Sequence, residues 1–525
     1  MPPPHSLHAV AIRPATLINN LTIVVTPSLP IGLAYVVAAI EDLVSLQVID
    51  AIAERPGITD VTPFDDDLSI LGLTAAETVA RIEQAPDICL VSSMFSTEWP
   101  VVKELIARVR EQYPDCVIVG GGEHFSAAAE YSLRASELDL CVVGEGEETI
   151  RELVGRLIDD RTVPLDVAGT VTTNAETGEI TRAAPRTRML DLPAIPYPAW
   201  ERFNVEAFLD RGIGQFDQGR EVRAMPFVAT RGCPYRCTFC SNDSMWGTRW
   251  LARPPRELLA EWKLWIERYG VNHFDSCDLT AIVKRQWLVE FCTLLIEEDL
   301  AITWGMPSGT RSEALDEETL TLLKRSGCAD ITYAPESGSD DVLRIMKKKI
   351  SKPAMLDSMR ACHRAGIVAK ANIILGYPEE TRRHVLETYR FIVAIAMAGV
   401  EDLMVTGLSP YPGSAVFDQL TAEGRITMDE EYFHNLSQMS SLDSSVSYSH
   451  HYGTRELQLF KLGGWVLFYS FSLLLRPRRI AVLLRDLARG NGTTRLSKGL
   501  LSLFRRRRNL RRIDHDMVPA RAPGH

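Results

Sequence analysis

Apolar residues along the chain fall into short runs separated by longer amphipathic stretches. Between residues 21 and 160 the runs are "LTIVVTP", "SLQVID", "ICLVSSM", "CVIVGGG" and "LCVVGEG". Each is nearly continuous in apolar residues, the pattern of a parallel strand covered on both faces. The stretches between them, such as "AAETVARIEQ" and "EWPVVKELIARVREQY", repeat apolar positions every three or four residues and predict helices. Strand and helix alternating in this way predict an α/β fold, an open doubly wound Rossmann- or flavodoxin-like parallel sheet. Its ligand crevice belongs at the carboxyl ends of the strands.

The rhythm breaks over residues 161–200. "GTVTTNAETGEITRAAP" predicts a hairpin around Thr177-Gly178, and "DLPAIPYPAW" is a proline-rich connector. From 226 to 425 the alternation resumes with "PFVATRG", "HFDSCDL", "ITWGMPSG", "ITYAPESG", "AKANIILGYP" and "EDLMVTGLSPYPG". These units predict a partial (β/α)6 barrel with functional loops at the strand carboxyl ends. The expected organisation is a first domain over 1–165, a linker with a hairpin over 166–215, the barrel over 216–430 and a helical basic region over 431–525.

Composition adds little until charge is divided by region. At 46% hydrophobic and 24% charged the chain is ordinary for a globular protein. The opening residues lack a basic segment followed by an apolar one, so a cytoplasmic location is expected. The net charge of −11 conceals an asymmetry: residues 451–525 carry 16 Lys and Arg against 4 Asp and Glu, the remainder 41 against 64. A basic tail on an acidic body predicts contact with an anionic surface. "KLGGWVLFYSFSLLLRPRR" (461–479) is too short in its apolar part to span a bilayer and reads as a helix covering the barrel. "RLSKGLLSLFRRRRNLRR", with Leu501, Leu503 and Phe504 beside Arg505 to Arg508, reads as an interfacial helix for anionic lipid. The same arginines could instead bind the acidic body. Nucleic acid ranks lower, because no RNA-binding motif accompanies the tail.

Candidate chemistry concentrates in "RGCPYRCTFCSND", where Cys233, Cys237 and Cys240 stand at C-x₃-C-x₂-C spacing directly after the first barrel strand. The remaining cysteines, Cys89, Cys116, Cys141, Cys277, Cys292, Cys328 and Cys362, are scattered singly in apolar surroundings and read as reduced core residues. Three adjacent thiolates suit a metal. A structural zinc site needs a fourth ligand, and no second pair follows nearby. An iron–sulfur cluster held by three thiolates leaves one iron open to a ligand.

This segment resembles the signature of the radical S-adenosylmethionine enzymes, and further segments agree in order and spacing. Phe239 is the aromatic usual before the last cysteine, and "FDSCDL" resembles the acidic second-strand motif, with Asp278 in place. "APESGS" (334–339), "GYPEET" (376–381) and "LSPYPGS" (408–414) resemble the later barrel motifs. The resemblance implies a [4Fe–4S] cluster on Cys233, Cys237 and Cys240, with the amino and carboxylate groups of S-adenosylmethionine on the open iron. Glu336 and Ser337 then hold the methionine or ribose part, and the turn at Gly376 approaches the adenine. Asp278 is the weaker candidate, because Cys277 stands where the family often has a second acid.

The first domain resembles the cobalamin-binding domain that precedes the barrel in one branch of these enzymes, through "PSLPIGLAYVVAAIED", "VSSMFSTEWP", "VIVGGGEHFSA" and "VVGEGEETI". The resemblance places Ser92, Ser93, Gly120, Gly121 and Gly122 at strand ends near the corrin or its tail. No histidine lies between His8 and His124, so the usual lower axial histidine is missing. His124 is expected to be a satisfied structural residue.

Taken together, the resemblance implies a cobalamin-dependent radical enzyme that methylates an unactivated carbon of a small-molecule or lipid substrate. Its electron donor would be a flavodoxin or ferredoxin. The alternative with the same cofactors is oxidative cyclisation or rearrangement, as in the anaerobic cyclase of bacteriochlorophyll synthesis. Methylthio transfer to tRNA normally needs three more cluster cysteines, and a non-enzymatic sensor would not need the intact cysteine triad.

Overall fold

The computed structural model describes residues 7–19, 27–57, 60–209, 222–310, 315–438 and 445–490, together with 494, 496, 497, 500 and 501. Most of "LTIVVTP" and the stretch Leu503 to Arg508 lie outside these residues.

The first sheet is built on β1 (His8–Arg13), β2 (Ser45–Asp50), β3 (Ile88–Ser92), β4 (Val117–Gly121) and β5 (Leu140–Val142). All are parallel, in the order β2-β1-β3-β4-β5. This is the flavodoxin-like order, whose switch point lies between β1 and β3. The central strand β1 was not among the expected runs. Its buried segment, Ala9 to Ile12, is short and half alanine, yet every residue in it is fully buried. Helices α1 (Ile31–Ala38), α2 (Trp99–Gln112), α3 (Glu123–Ala135) and α4 (Glu147–Asp159) flank the sheet.

The expected hairpin exists as β6 (Thr170–Thr173) and β7 (Ile180–Arg182), turning through Gly178 at φ +71°. It is not part of a linker. β6 pairs antiparallel with β5, so the hairpin extends the first sheet to seven strands. The outer backbone groups of a short strand such as β5 need partners, and β6 supplies them.

The second sheet is β8 (Ala224–Phe227), β9 (His273–Ser276), β10 (Thr303–Thr310), β11 (Cys328–Glu336), β12 (Val368–Leu375) and β13 (Asp402–Gly407). All neighbours are parallel and in chain order, the arrangement of an open six-stranded barrel. Helices α5 (Pro255–Tyr269), α6 (Arg285–Glu298), α7 (Glu317–Arg325), α8 (Lys352–Arg364) and α9 (Arg382–Ala398) cover its outside. Outward residues of the strands are buried against them: Phe274 stacks on Trp262 at 4.2 Å, and Ile331, Tyr333, Ile373 and Leu403 join the same core.

The apolar C-terminal segment forms α10 (Thr454–Leu475), which packs on α9 and on the edge strand β13. Leu457, Lys461, Gly464 and Phe468 turn inward at helical spacing. Gly463 and Gly464 let the helix approach closely, and Tyr389 donates to the Phe460 carbonyl at 2.8 Å. With 22 residues and a mean hydropathy of 1.3, this one described helix is long and apolar enough to cross a membrane, longer than the sequence reading allowed. A third of its apolar window is buried on the barrel. Arg476 and Arg479 donate to the carbonyls of Ala396 and Val400, both at 2.9 Å, where α9 ends with unsatisfied acceptors. These two basic residues therefore serve the acidic body itself.

Candidate functional site

The cysteine loop leaves β8 through Thr230 and Arg231, which pair antiparallel with Leu251 and Ala252. It is pinned at its centre. Thr238 donates from its amide to the Met346 carbonyl (3.0 Å) and from its hydroxyl to the Ile345 carbonyl (3.2 Å), and its hydroxyl also meets the Tyr377 hydroxyl. The Val416 amide donates to the Thr238 carbonyl at 2.9 Å. Segments following β11, β12 and β13 thus converge on the residue between Cys237 and Phe239.

A tight turn, Cys240 amide to Cys237 carbonyl at 3.1 Å, sets the last two thiols. Cys233 and Cys237 are half-buried, and Cys240 is exposed. Desolvation raises the Cys240 thiol, and the charges of Glu123, Cys237 and Cys233 push it the same way. Four acidic groups this close repel one another as anions, and a cationic cluster removes that repulsion. Among the described residues no three His, Cys, Asp or Glu side chains converge on one ion. Three thiols on one loop are a donor set suited to separate iron corners of a cluster.

Around this loop the expected cofactor residues divide. Glu336, the last residue of β11, holds φ at +64°, a left-handed conformation that costs a non-glycine residue about 1–2 kcal/mol. Its buried carboxylate pairs with Lys348 at 3.0 Å, and Lys348 lies 5.9 Å over the ring of Phe239. The pair therefore links the strand end to the cysteine loop. Ser337 faces elsewhere: it is fully buried, 3.3 Å from the Thr388 hydroxyl of α9, and holds the following turn. Asp278 is likewise a clamp. It accepts from the Ser276 hydroxyl (2.5 Å), the Thr230 hydroxyl (2.7 Å) and the Thr230 amide, fixing the start of the cysteine loop. Burial raises its carboxyl. At Gly376 the positive φ of +93° demands glycine, but the amide is taken by Glu380 (2.7 Å) and the Tyr452 hydroxyl (2.9 Å), and the α-carbon faces Leu457. The burial of Glu380 raises its carboxyl to about 7.

In the first domain the loops after β3 and β4 meet. The Ser93 amide donates to the Gly121 carbonyl at 2.9 Å, and the His124 amide to the Ser93 carbonyl at 3.3 Å. Ser92 is half-buried, while Ser93 is fully buried and directs its hydroxyl to the Phe95 carbonyl at 3.4 Å. The three glycines have different reasons. A Cβ on Gly120 would strike the Phe125 ring, and Gly122 at φ +115° backs onto the Ser93 carbonyl. Only Gly121 faces open space, with Met94 and Phe95 exposed in the adjoining loop. That is a cradle a side chain would fill, and it fits the edge of a large planar ligand. His124 is engaged inside the fold: its ring nitrogens lie 2.9 Å from the Ser96 hydroxyl and 3.2 Å from the Ser132 hydroxyl, and burial lowers its pKa to about 3.

The cradle and the cysteine loop face each other. Ser241, next to Cys240, donates to Glu123, next to Gly122. Arg231 pairs with Glu147 at 2.5 Å, and Arg188 with Glu145 at 2.9 Å. Gly413, after β13, lies where a Cβ would be 3.1 Å from Ala127 and 3.2 Å from Ser244. Between the two domains a cleft of about 260 Å³ runs past Gly144, Glu145, Arg188, Trp246 and Gly247. Glu123, Arg231 and Lys348 were not singled out in the sequence. The acidic run "GEGEE" (144–148) opposite "TRG" (230–232) was the visible signal for the domain contact.

Comparisons with known proteins agree with this division. The Radical SAM superfamily matches residues 227–392, and the B12 binding domain matches residues 23–154. An uncharacterized methyltransferase of Pyrococcus horikoshii is 24% identical over 494 residues, 92% of this chain and 95% of that protein. The cytidylyl-2-hydroxyethylphosphonate methyltransferase of Streptomyces wedmorensis is 26% identical over 77% of this chain and 80% of its own length. Among solved structures, the cobalamin-dependent S-adenosylmethionine radical enzyme OxsB, with aqua-cobalamin and S-adenosylmethionine bound, superposes with a TM-score of 0.63. It covers 98% of this chain and 81% of that one at 13% identity, a likeness of fold.

Proposed function

Because the chain carries a B12-binding domain followed by a radical SAM domain, we propose that it is a cobalamin-dependent radical S-adenosylmethionine methyltransferase acting on a small molecule. The observation that carries this is the Ser241–Glu123 contact, which sets the cysteine triad against the open cradle at Gly121. When bound, the cluster and S-adenosylmethionine supply radical chemistry and cobalamin supplies methyl transfer; both must reach one substrate carbon.

The chain's own residues then have distinct tasks. Cys233, Cys237 and Cys240 hold the cluster, and Thr238 fixes their loop. Lys348 and Glu336 shape the mouth beside Phe239, while Gly121, Met94 and Phe95 receive the flat cofactor. Reduction comes from a small electron-transfer protein such as flavodoxin or ferredoxin.

The apolar outer faces of α10 and of the following helix α11 (Pro477–Arg489) are compatible with peripheral contact at an anionic membrane. Leu459, Val466, Leu474 and Leu484 are all exposed there, with Arg485 beside them. A lipophilic substrate would then be collected at the inner face of the membrane.

The test is anaerobic reconstitution followed by incubation with S-adenosylmethionine carrying a deuterated methyl group and a metabolite extract from a deletion strain. A product heavier by the labelled methyl group is expected. Cofactor loading without any labelled product, alongside a dehydrogenated or ring-closed one, would replace methylation by cyclisation.

A further inference from the structure

Over residues 1–450 the chain is acidic, with 64 Asp and Glu against 41 Lys and Arg. One short stretch runs against that balance. Residues 340–352, which follow β11, carry five Lys and Arg against two Asp, and Lys347, Lys348 and Lys349 are consecutive within it.

Local structure sends these lysines in different directions. The short helix Asp340–Ile345 ends in a turn, in which the Lys347 amide donates to the Arg344 carbonyl (3.1 Å) and the Lys348 amide to the Leu343 carbonyl (2.9 Å). Lys347 takes the left-handed position of that turn, at φ +51°, where glycine is the usual residue. The turn directs Lys347 and Lys349 out to solvent and Lys348 inward, onto the buried Glu336 carboxylate at 3.0 Å. One cation is enough for the end of so short a helix, and Arg344 already stands in its last turn. The helix end therefore does not account for Lys347 and Lys349.

The turn is fastened to the cysteine loop. The Ile345 and Met346 carbonyls accept from the Thr238 hydroxyl and amide, at 3.2 and 3.0 Å. On the loop itself Pro234 and Arg236 are exposed between Cys233 and Cys237. Arg236, Arg344, Lys347 and Lys349 thus lie on two segments joined at Thr238, the residue after Cys237. Asp243 lies 3.4 Å from Arg236 and Asp341 2.9 Å from Arg344; both are exposed pairs, weakly held in water. Lys352 is engaged by Asp340 and by the Gly338 carbonyl. Four cations against two carboxylates leave this edge of the loop positive.

We infer that Arg236, Arg344, Lys347 and Lys349 form the docking surface for an acidic electron-transfer protein. This rests on the reading that Cys233, Cys237 and Cys240 hold a reducible cluster. One electron passes from the donor to the cluster, a flavin hydroquinone becoming a semiquinone or a donor iron–sulfur centre being oxidised, and no bond is made. Such a transfer needs two proteins to meet quickly and part again. Exposed charges serve that better than an apolar patch, because they speed encounter and hold weakly. A positive rim on the loop that carries the thiols selects an acidic partner, on a body whose net charge repels one.

The test measures the binding of purified acidic flavodoxin and, separately, of ferredoxin to the reconstituted full-length protein at low salt. Lys347→Glu with Lys349→Glu should weaken association roughly tenfold or more and remove most of its salt dependence. The milder Lys347→Gln with Lys349→Gln should weaken it about threefold, and decides the matter if the glutamate variant does not fold. The same charge reversal at Arg108 and Arg134, exposed on α2 and α3, should leave association within about twofold of the wild type. Wild-type affinity in the lysine variants, or equal weakening by the distant reversal, would overturn the inference. So would a wild type that binds neither protein at low salt. Reduced methyl viologen, a small cation that needs no docking surface, should drive 5′-deoxyadenosine formation equally in wild type and lysine variants. Failure in the variants alone would show that the lysines serve the cluster itself and would overturn the docking role. Failure in all of them, with iron absent, would strike the cluster reading instead.

Discussion

The two parallel sheets of this molecule use the same local pattern for opposite ends. In the first sheet Ala9 to Ile12 and Ile88 to Val91 are buried on both faces, so nothing can bind within it and its chemistry is confined to the loops beyond Ser92 and Gly121. In the barrel, β12 buries its outer face fully and its inner face only in part. A sheet covered by helices on both sides is a platform, whereas one curled on itself is a container. The difference teaches where to look for function: at strand ends in the one, at strand ends and inner walls in the other.

The largest effect should come from the loop that joins them. Replacing Cys233, Cys237 and Cys240 together by alanine should remove essentially all cluster iron while cobalamin still binds, because the cradle belongs to the other sheet. Iron analysis and cobalamin absorbance on one sample check this, and concurrent loss of cobalamin would break the separation of the two domains.

The inner wall can be tested within one strand. Ile373 is fully buried outward and Ile374 lies inward and half-buried. Ile373→Ala should cost about 2–5 kcal/mol in urea unfolding, and Ile374→Ala well under half of that. Equal costs would mean that the interior is packed.

Glu380 gives a pH test at the barrel rim. Its folded pKa of about 7 lies above the ordinary 4.5. Below about pH 4.5 both states hold the proton. Between there and pH 7 only the native state does, so stability falls as pH rises through this window, by on the order of 3 kcal/mol. Glu380→Gln should flatten that fall relative to the wild type, as measured by denaturant unfolding at pH 5 and 7.5.

A smaller effect is expected at the domain junction. Ser241→Ala removes one hydrogen bond to Glu123, and the net loss should be about 1 kcal/mol. The more sensitive readout is easier proteolysis of the connector around 183–200.

Much of this was legible from pattern alone. Strands buried on both faces announce themselves as apolar runs, and the cysteine spacing names its chemistry without coordinates. What pattern did not report has physical reasons. The buried segment of β1 is half alanine and could not compete as a strand signal with "LTIVVTP". The hairpin looked like a linker because its partner, β5, is distant in pattern though adjacent in space. Asp278, Ser337 and Gly376 occupy motif positions, but their polar groups are satisfied by Thr230, Thr388 and Glu380, and no sequence pattern reports which way a side chain turns. Asp330 is the converse: an ordinary residue in the strand "CADITYAPE" whose unmatched burial appears only when three strands are set side by side.

The central claim is that the cradle of the first sheet and the cysteine loop of the second form one site. Pulsed electron paramagnetic resonance on protein holding both a reduced cluster and cob(II)alamin tests it most directly. The two paramagnetic centres should show a strong dipolar interaction, weakened when Ser241 and Arg231 are replaced together so that the domains part. Two centres that relax as though alone, in fully loaded wild-type protein, would contradict the account.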